Sequence, residues 1–160
     1  MSYRTKITAI AATFAAAAFT VTATATPALA WTPGPFTATL NGDVVIDAGI
    51  PATCTDSTLS GTVDSDGDLT ITAAGVDGCG VQVTPTGLPW TGSIADGTAV
   101  FTGFTMSAIG CTYRGDLTGT YNATDIPGTA SFTDQPATRT SGFLCPSSVT
   151  ISAAYDFTQP

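Results

Sequence analysis

A single all-β domain is the fold class this sequence predicts: one sandwich or barrel of about 8–10 short antiparallel strands held by two disulfides. Three observations predict it. Thr, Val, Ile and Phe fill the regular stretches, and Gly, Pro and Asp interrupt them roughly every ten residues, the rhythm of short strands joined by tight turns. Four cysteines lie symmetrically about two turn signals. No window beyond residue 30 carries a sustained three-four apolar spacing with a helix cap, so almost no helix is expected there.

The first thirty residues stand apart. Arg4 and Lys6 give a positive start, Ile7 to Val21 form an Ala-rich apolar run, and Pro27-Ala28-Leu29-Ala30 presents the small residues that a signal peptidase reads. The expectation is a signal peptide over 1–30, cleaved after Ala30, and a secreted domain over 31–160, extracellular or at the cell surface. A membrane anchor is the competing reading, and the repeated Thr and the small-residue site weigh against it. No later stretch is apolar enough to span a bilayer.

In an exported chain, Cys54, Cys79, Cys111 and Cys145 favour two disulfides over zinc or thiol chemistry, since there is no Cys-x-x-Cys and no His. Three pairings are possible. The midpoint of Cys54 and Cys79 falls between Asp66 and Gly67, within an Asp/Ser/Gly turn. That of Cys111 and Cys145 falls at Gly128, within Asp125-Ile126-Pro127-Gly128-Thr129, where Pro fixes φ and Gly supplies a positive one. Symmetry therefore favours Cys54–Cys79 with Cys111–Cys145, each closing the open end of a hairpin and contributing on the order of 3 kcal/mol.

In chain order, Phe36 to Leu40 alternates, Asn41-Gly42 is a hairpin turn signal, and Asp43 to Ile46 returns. The Cys54–Cys79 hairpin follows, then Val81 to Thr84. Pro85 to Pro89 break the pattern before Trp90, Ile94 and a strand at Ala99–Met106. The second cysteine unit carries Leu117–Tyr121 and Ala130–Thr133, and the chain closes on Val149–Phe157. The two units align: Cys54-Thr55…Leu59-Ser60-Gly61-Thr62-Val63 against Cys111-Thr112…Leu117-Thr118-Gly119-Thr120-Tyr121, with one residue inserted. An old duplication and simple Thr/Gly richness both account for it.

Beyond residue 30 only Arg114 and Arg139 stand against twelve Asp, a net charge of −10 with no Lys, Glu or His. Nucleic acid and anionic membrane would find too few cations there to neutralise their phosphates. With no His or Lys, the usual general base and the Schiff-base amine are missing. No Gly-x-Ser-x-Gly, aspartic-dyad signature or phosphate loop occurs either, so no enzyme, cofactor or metal is expected. Leu88-Pro89-Trp90-Thr91-Gly92 matches a sortase motif but lies far from the C-terminus, so packing of Trp90 is the plainer role. Asp64-Ser65-Asp66-Gly67-Asp68 invites calcium; read as an EF-type loop it puts Leu69 where Gly belongs, leaving a hairpin turn or a looser surface site. Asn122-Ala123-Thr124 fits a glycosylation acceptor, a frequent chance match in a Thr-rich chain.

The strings Cys54-Thr55…Val63, Thr84-Pro85-Thr86-Gly87-Leu88-Pro89-Trp90, Gly110-Cys111-Thr112-Tyr113 and Leu144-Cys145-Pro146-Ser147-Ser148…Ala154-Tyr155 resemble a group of small secreted actinobacterial proteins. In layout these are similar to the protein activator of alkane oxidation family. The resemblance covers most of residues 31–160 and implies a role at hydrophobic substrates or the cell surface; its motifs are structural and transfer no catalytic residue. Enediyne-antibiotic apoproteins share only the physical type, for their short disulfide loops are missing. The expected function is therefore a non-catalytic secreted or cell-surface domain, structural or in contact with apolar material or the envelope. The partner is left open between an envelope component and a hydrophobic ligand. An alternative is a small-ligand carrier or an inhibitor of a secreted enzyme. A cleft lined by Trp90, Phe101, Phe104 or Tyr113 would favour the carrier, and a projecting Gly87–Gly92 loop the inhibitor.

Overall fold

The computed structural model describes residues 31–122 and 128–160. The expected signal peptide with its cleavage after Ala30, most of the turn before Gly128, and two residues of the acceptor-like Asn122-Ala123-Thr124 lie outside the described residues. Those described form eleven strands and no helix: β1 Gly34–Leu40, β2 Val44–Asp47, β3 Pro51–Cys54, β4 Asp56–Val63, β5 Asp68–Asp77, β6 Val83–Pro85, β7 Trp90–Ala95, β8 Thr98–Ala108, β9 Cys111–Asn122, β10 Thr129–Ser141 and β11 Ser148–Thr158. All pair antiparallel in one sheet, and pairing of β1 with β11 closes it into a barrel. The question of sandwich or barrel is thereby answered.

The eleven strands make eight staves. β1 and β2 run the same way along one edge of β11, through Thr37↔Thr158 to Leu40↔Tyr155 and then Val45↔Ser152 to Asp47↔Thr150. β4 and β3 pair with them in turn, so β1–β2 and β3–β4 are two long strands, each interrupted once. β6 and β7 likewise share one edge of β8. Each stave neighbours its successor, the up-and-down arrangement in which closure leaves no free edge around the wall.

This geometry corrects the expectation at Asn41-Gly42, which is not a hairpin turn. Leu40 and Val45 both dock on β11, so the intervening residues bulge out of a strand that continues. Gly42 takes a φ of 93°, and the Asn41 N–H donates to the Ala154 carbonyl at 2.8 Å, which keeps the chain on β11 through the bulge. The reversal comes later, at residues 48–50, between β2 and β3. The strands of the second half are also longer than the short ones expected, 11 to 13 residues from β8 to β11, apart from the bulges in their registers.

Alternation fills the interior. β11 buries Val149, Ile151, Ala153, Tyr155 and Phe157 on one face, every second residue as a half-buried strand requires. Phe36, Phe101, Phe132 and Phe157 meet across the barrel, with ring centroids 4.8–6.4 Å apart, and Trp31 and Tyr121 meet Phe157 edge-on. Tight wall curvature needs glycine. A Cβ at Gly61 would lie 1.9 Å from the Thr70 carbonyl oxygen, and one at Gly119 2.1 Å from that of Ser131. The two residues that align between the cysteine units therefore occupy the same kind of pinch in the wall.

Both disulfides pair as symmetry suggested, Cys54–Cys79 and Cys111–Cys145, and no described cysteine is free. Such bonds are consistent with an extracellular location.

Candidate functional site: the apolar end of the barrel

The staves define two ends. At one lie the 64–67 and 96–97 turns and both ends of the described domain, with Asp64, Asp66, Asp68 and Asp96 exposed. At the other lie the turns at 48–50 and 109–110, the approach to β6 at 78–82, and the 142–147 loop. The large apolar side chains that the described fold leaves in water are Ile50, Val81, Ile109, Phe143 and Leu144, and every one belongs to this second end. Phe143 and Leu144 are 92 % and 89 % exposed, Ile50 83 % and Ile109 78 %. Single exposed apolar residues are ordinary; five gathered at one end of a barrel form an apolar rim that makes this end the candidate site.

Beneath this rim the interior holds an apolar cavity of about 30 Å³, walled among others by Val76, Val83, Trp90, Phe101, Phe104 and Tyr155. Three of the four residues expected to line a cleft, Trp90, Phe101 and Phe104, do so; Tyr113 is buried but is not among the lining. The space is sufficient for a water or two, not for a chain of carbons. On this side the wall is interrupted: β5 is hydrogen-bonded to β7 from Asp68 to Ile71, whereas β6 is bonded to β8 alone.

The stretch Gly87–Gly92 does not project. β7 begins at Trp90, which is 2 % exposed; its indole packs at a tilt against Phe104 with ring centroids 4.9 Å apart and donates Nε1–H to the Thr86 carbonyl at 2.8 Å. Packing is thus the role of the Trp in the sortase-like motif. Asp64 is spent on its turn, with Oδ1 accepting the N–H groups of Asp66 and Asp68 at 2.9 Å each. Among the described residues no three potential ligands group around a metal position. No helix there is long and apolar enough to cross a membrane.

Tyr155, one of the residues that line the cavity, carries a buried hydroxyl. Ser57 Oγ donates to the Gly75 carbonyl at 2.9 Å, so the Tyr155 hydroxyl, also 2.9 Å away, donates to Ser57. Burial raises the Tyr155 pKa above 10.0, with the Ser57 hydrogen bond opposing, and burial raises that of Tyr121 too. The unfolded chain therefore releases these protons first, and stability held below pH 10 falls as pH rises beyond it. Urea melts at pH 8 and pH 11 should show the drop. Tyr155→Phe should flatten it while costing about 1 kcal/mol at pH 8; an unchanged slope would remove Tyr155 from the account.

Sequence reasoning missed the apolar rim. The available signal was local: Ile109-Gly110 and Gly142-Phe143-Leu144-Cys145-Pro146 place large apolar residues in turns, where polar ones are the rule. The model of the family described as alkane oxidation protein activator PraA/PraB-like matches residues 4–159. No curated protein and no solved structure matches the chain. The chain belongs to the PraA/PraB-like alkane oxidation activator family.

Proposed function

We propose that this member of the activator family is an exported, non-catalytic barrel that works outside the cell by contact with apolar material. The observation that carries the reading is the gathering of the five exposed large apolar side chains at one end of the barrel, with none at the other among the described residues. A body so tipped gains by lodging those side chains in an apolar phase while its carboxylates, Asp47, Asp56 and Asp77 of the same end included, stay in water. The family description, an activator of alkane oxidation, supports a helper that brings apolar substrate and cell together over one that breaks bonds. The cavity of about 30 Å³ gives no support to a carrier that encloses its ligand.

The test expresses the full chain for export, collects the oxidised product and reads its N-terminus by mass spectrometry. A start at Trp31 is expected. The product is then shaken with hexadecane and its partition onto the droplets compared with that of an acidic protein of similar size. Strong enrichment on the droplets is expected. Retention in the water phase, equal to the control, would end the proposal.

A further inference from the structure

Four described non-glycine residues take a positive φ: Asp96, Ile109, Asp134 and Leu144. Asp tolerates that conformation; a β-branched Ile and a Leu do not, and each is held there at a cost in strain. Ile109 and Gly110, at φ 51° and 75°, form the two-residue turn between Ala108 and Cys111. That turn type selects Asn, Asp or Gly at its first position. Leu144 has a φ of 67°. Both strained side chains are more than three-quarters exposed, so packing against the core does not offset the strain.

The same two positions are clamped together. The Cys111–Cys145 disulfide begins two residues after Ile109 and one after Leu144. Gly142 fits closely between them: a Cβ there would lie 2.6 Å from Cys145 Sγ and 2.8 Å from the Gly110 carbonyl oxygen. Arg139 donates from Nη1 to the Cys145 carbonyl, fixing the loop from below. Strain, exposure and bracing thus coincide on one cluster.

Resting on the reading of contact with apolar material, we infer that Ile109, Phe143 and Leu144 form a preorganised anchor that inserts into the surface of a neutral liquid hydrocarbon. Three features select that occupant. The tips stand on separate loops around a rim, and the recess beside Ile109, about 350 Å³ and walled by Gln82, Thr84, Ser107, Ala108 and Gly110, is lined mostly by polar atoms and offers no apolar groove to a peptide or helix. A fluid surface needs no matching shape. The net charge of −10 beyond residue 30 opposes approach to an anionic lipid surface and leaves a neutral one unaffected. Bracing the tips in advance removes the ordering cost of insertion.

The test compares the exported wild-type protein with Phe143→Ser/Leu144→Ser and with Ile109→Asn, by partition onto hexadecane droplets and by thermal unfolding. The double variant should unfold with the wild type and partition about 100-fold more weakly, about tenfold for each large side chain withheld from the oil. Ile109→Asn should partition about fivefold more weakly yet unfold about 3 °C higher, because the new residue suits the turn. Undiminished partition of the double variant would overturn the anchor and leave the broader reading intact, with another face responsible. Failure of the wild type itself to partition would overturn both. A lower unfolding temperature for Ile109→Asn would show that Ile109 serves the fold. Tighter binding to phosphatidylglycerol vesicles than to droplets, or capture by a protein partner without droplet binding, would reject the occupant.

Discussion

Alanine at Gly61 or at Gly119 is expected to destabilise the barrel by about 3 kcal/mol or more, the upper range for forcing atoms into a packed site. Neither glycine is needed for its dihedral freedom, since neither has a positive φ. What each supplies is closeness. The added carbon would meet the Thr70 oxygen at 1.9 Å and the Ile71 Cα at 3.0 Å in one case, the Ser131 oxygen at 2.1 Å and the Phe132 ring at 2.8 Å in the other. The obstructing oxygens are backbone, so no rotamer change relieves the contact; neighbouring staves must part and lose ladder bonds. Gly75 is the control, because a Cβ there meets nothing within 4 Å. Urea melts should place Gly75→Ala at or slightly above the wild type and both pinch-point variants far below. If Gly119→Ala melted with the wild type, tight curvature at these two points would not be what closes the wall.

Those glycines also show how far the sequence could be read. The alignment of Leu59-Ser60-Gly61 with Leu117-Thr118-Gly119 was visible as similarity, while its cause was not. Leu59 and Leu117 both line the cavity, and Val63 and Tyr121 are both buried, so the likeness follows from two staves meeting the same curvature. Alternation and turn chemistry are local properties, and they revealed the β4–β5 hairpin and the strand character of β8 to β11. Closure is not local. It depends on β1 meeting β11, pairs such as Thr37 with Thr158 that no short window contains. Asn41-Gly42 misled for the same reason, because a distant strand holds both flanks and turns a hairpin signal into a bulge. The apolar rim escaped notice because periodicity reports which side of a strand is buried and is silent about turns.

Loss of the two disulfides should bring the larger collapse, and the two should differ in kind. Cys54–Cys79 and Cys111–Cys145 span 25 and 34 residues, for which loop-closure entropy gives about 3–4 kcal/mol each. Removing both by alanine substitution therefore takes away as much as the lower part of the range of about 5–15 kcal/mol by which native domains are stable, and an unfolded chain at 37 °C is expected. Singly, they separate. Cys54 is fully buried and its bond ties the entrance of β4 to the exit of β5, beside the interrupted part of the wall. Cys54→Ala/Cys79→Ala should lower the urea midpoint and leave hydrocarbon partition of the folded fraction unchanged. Cys111 and Cys145 are only partly buried, and their bond braces Ile109 against Phe143 and Leu144. Cys111→Ala/Cys145→Ala should lower the midpoint by a similar amount and weaken partition as well, because the tips must then be ordered at the oil surface. Equal partition by the two folded variants would mean that the second bond serves stability alone, and that the apolar tips need no bracing to do their work.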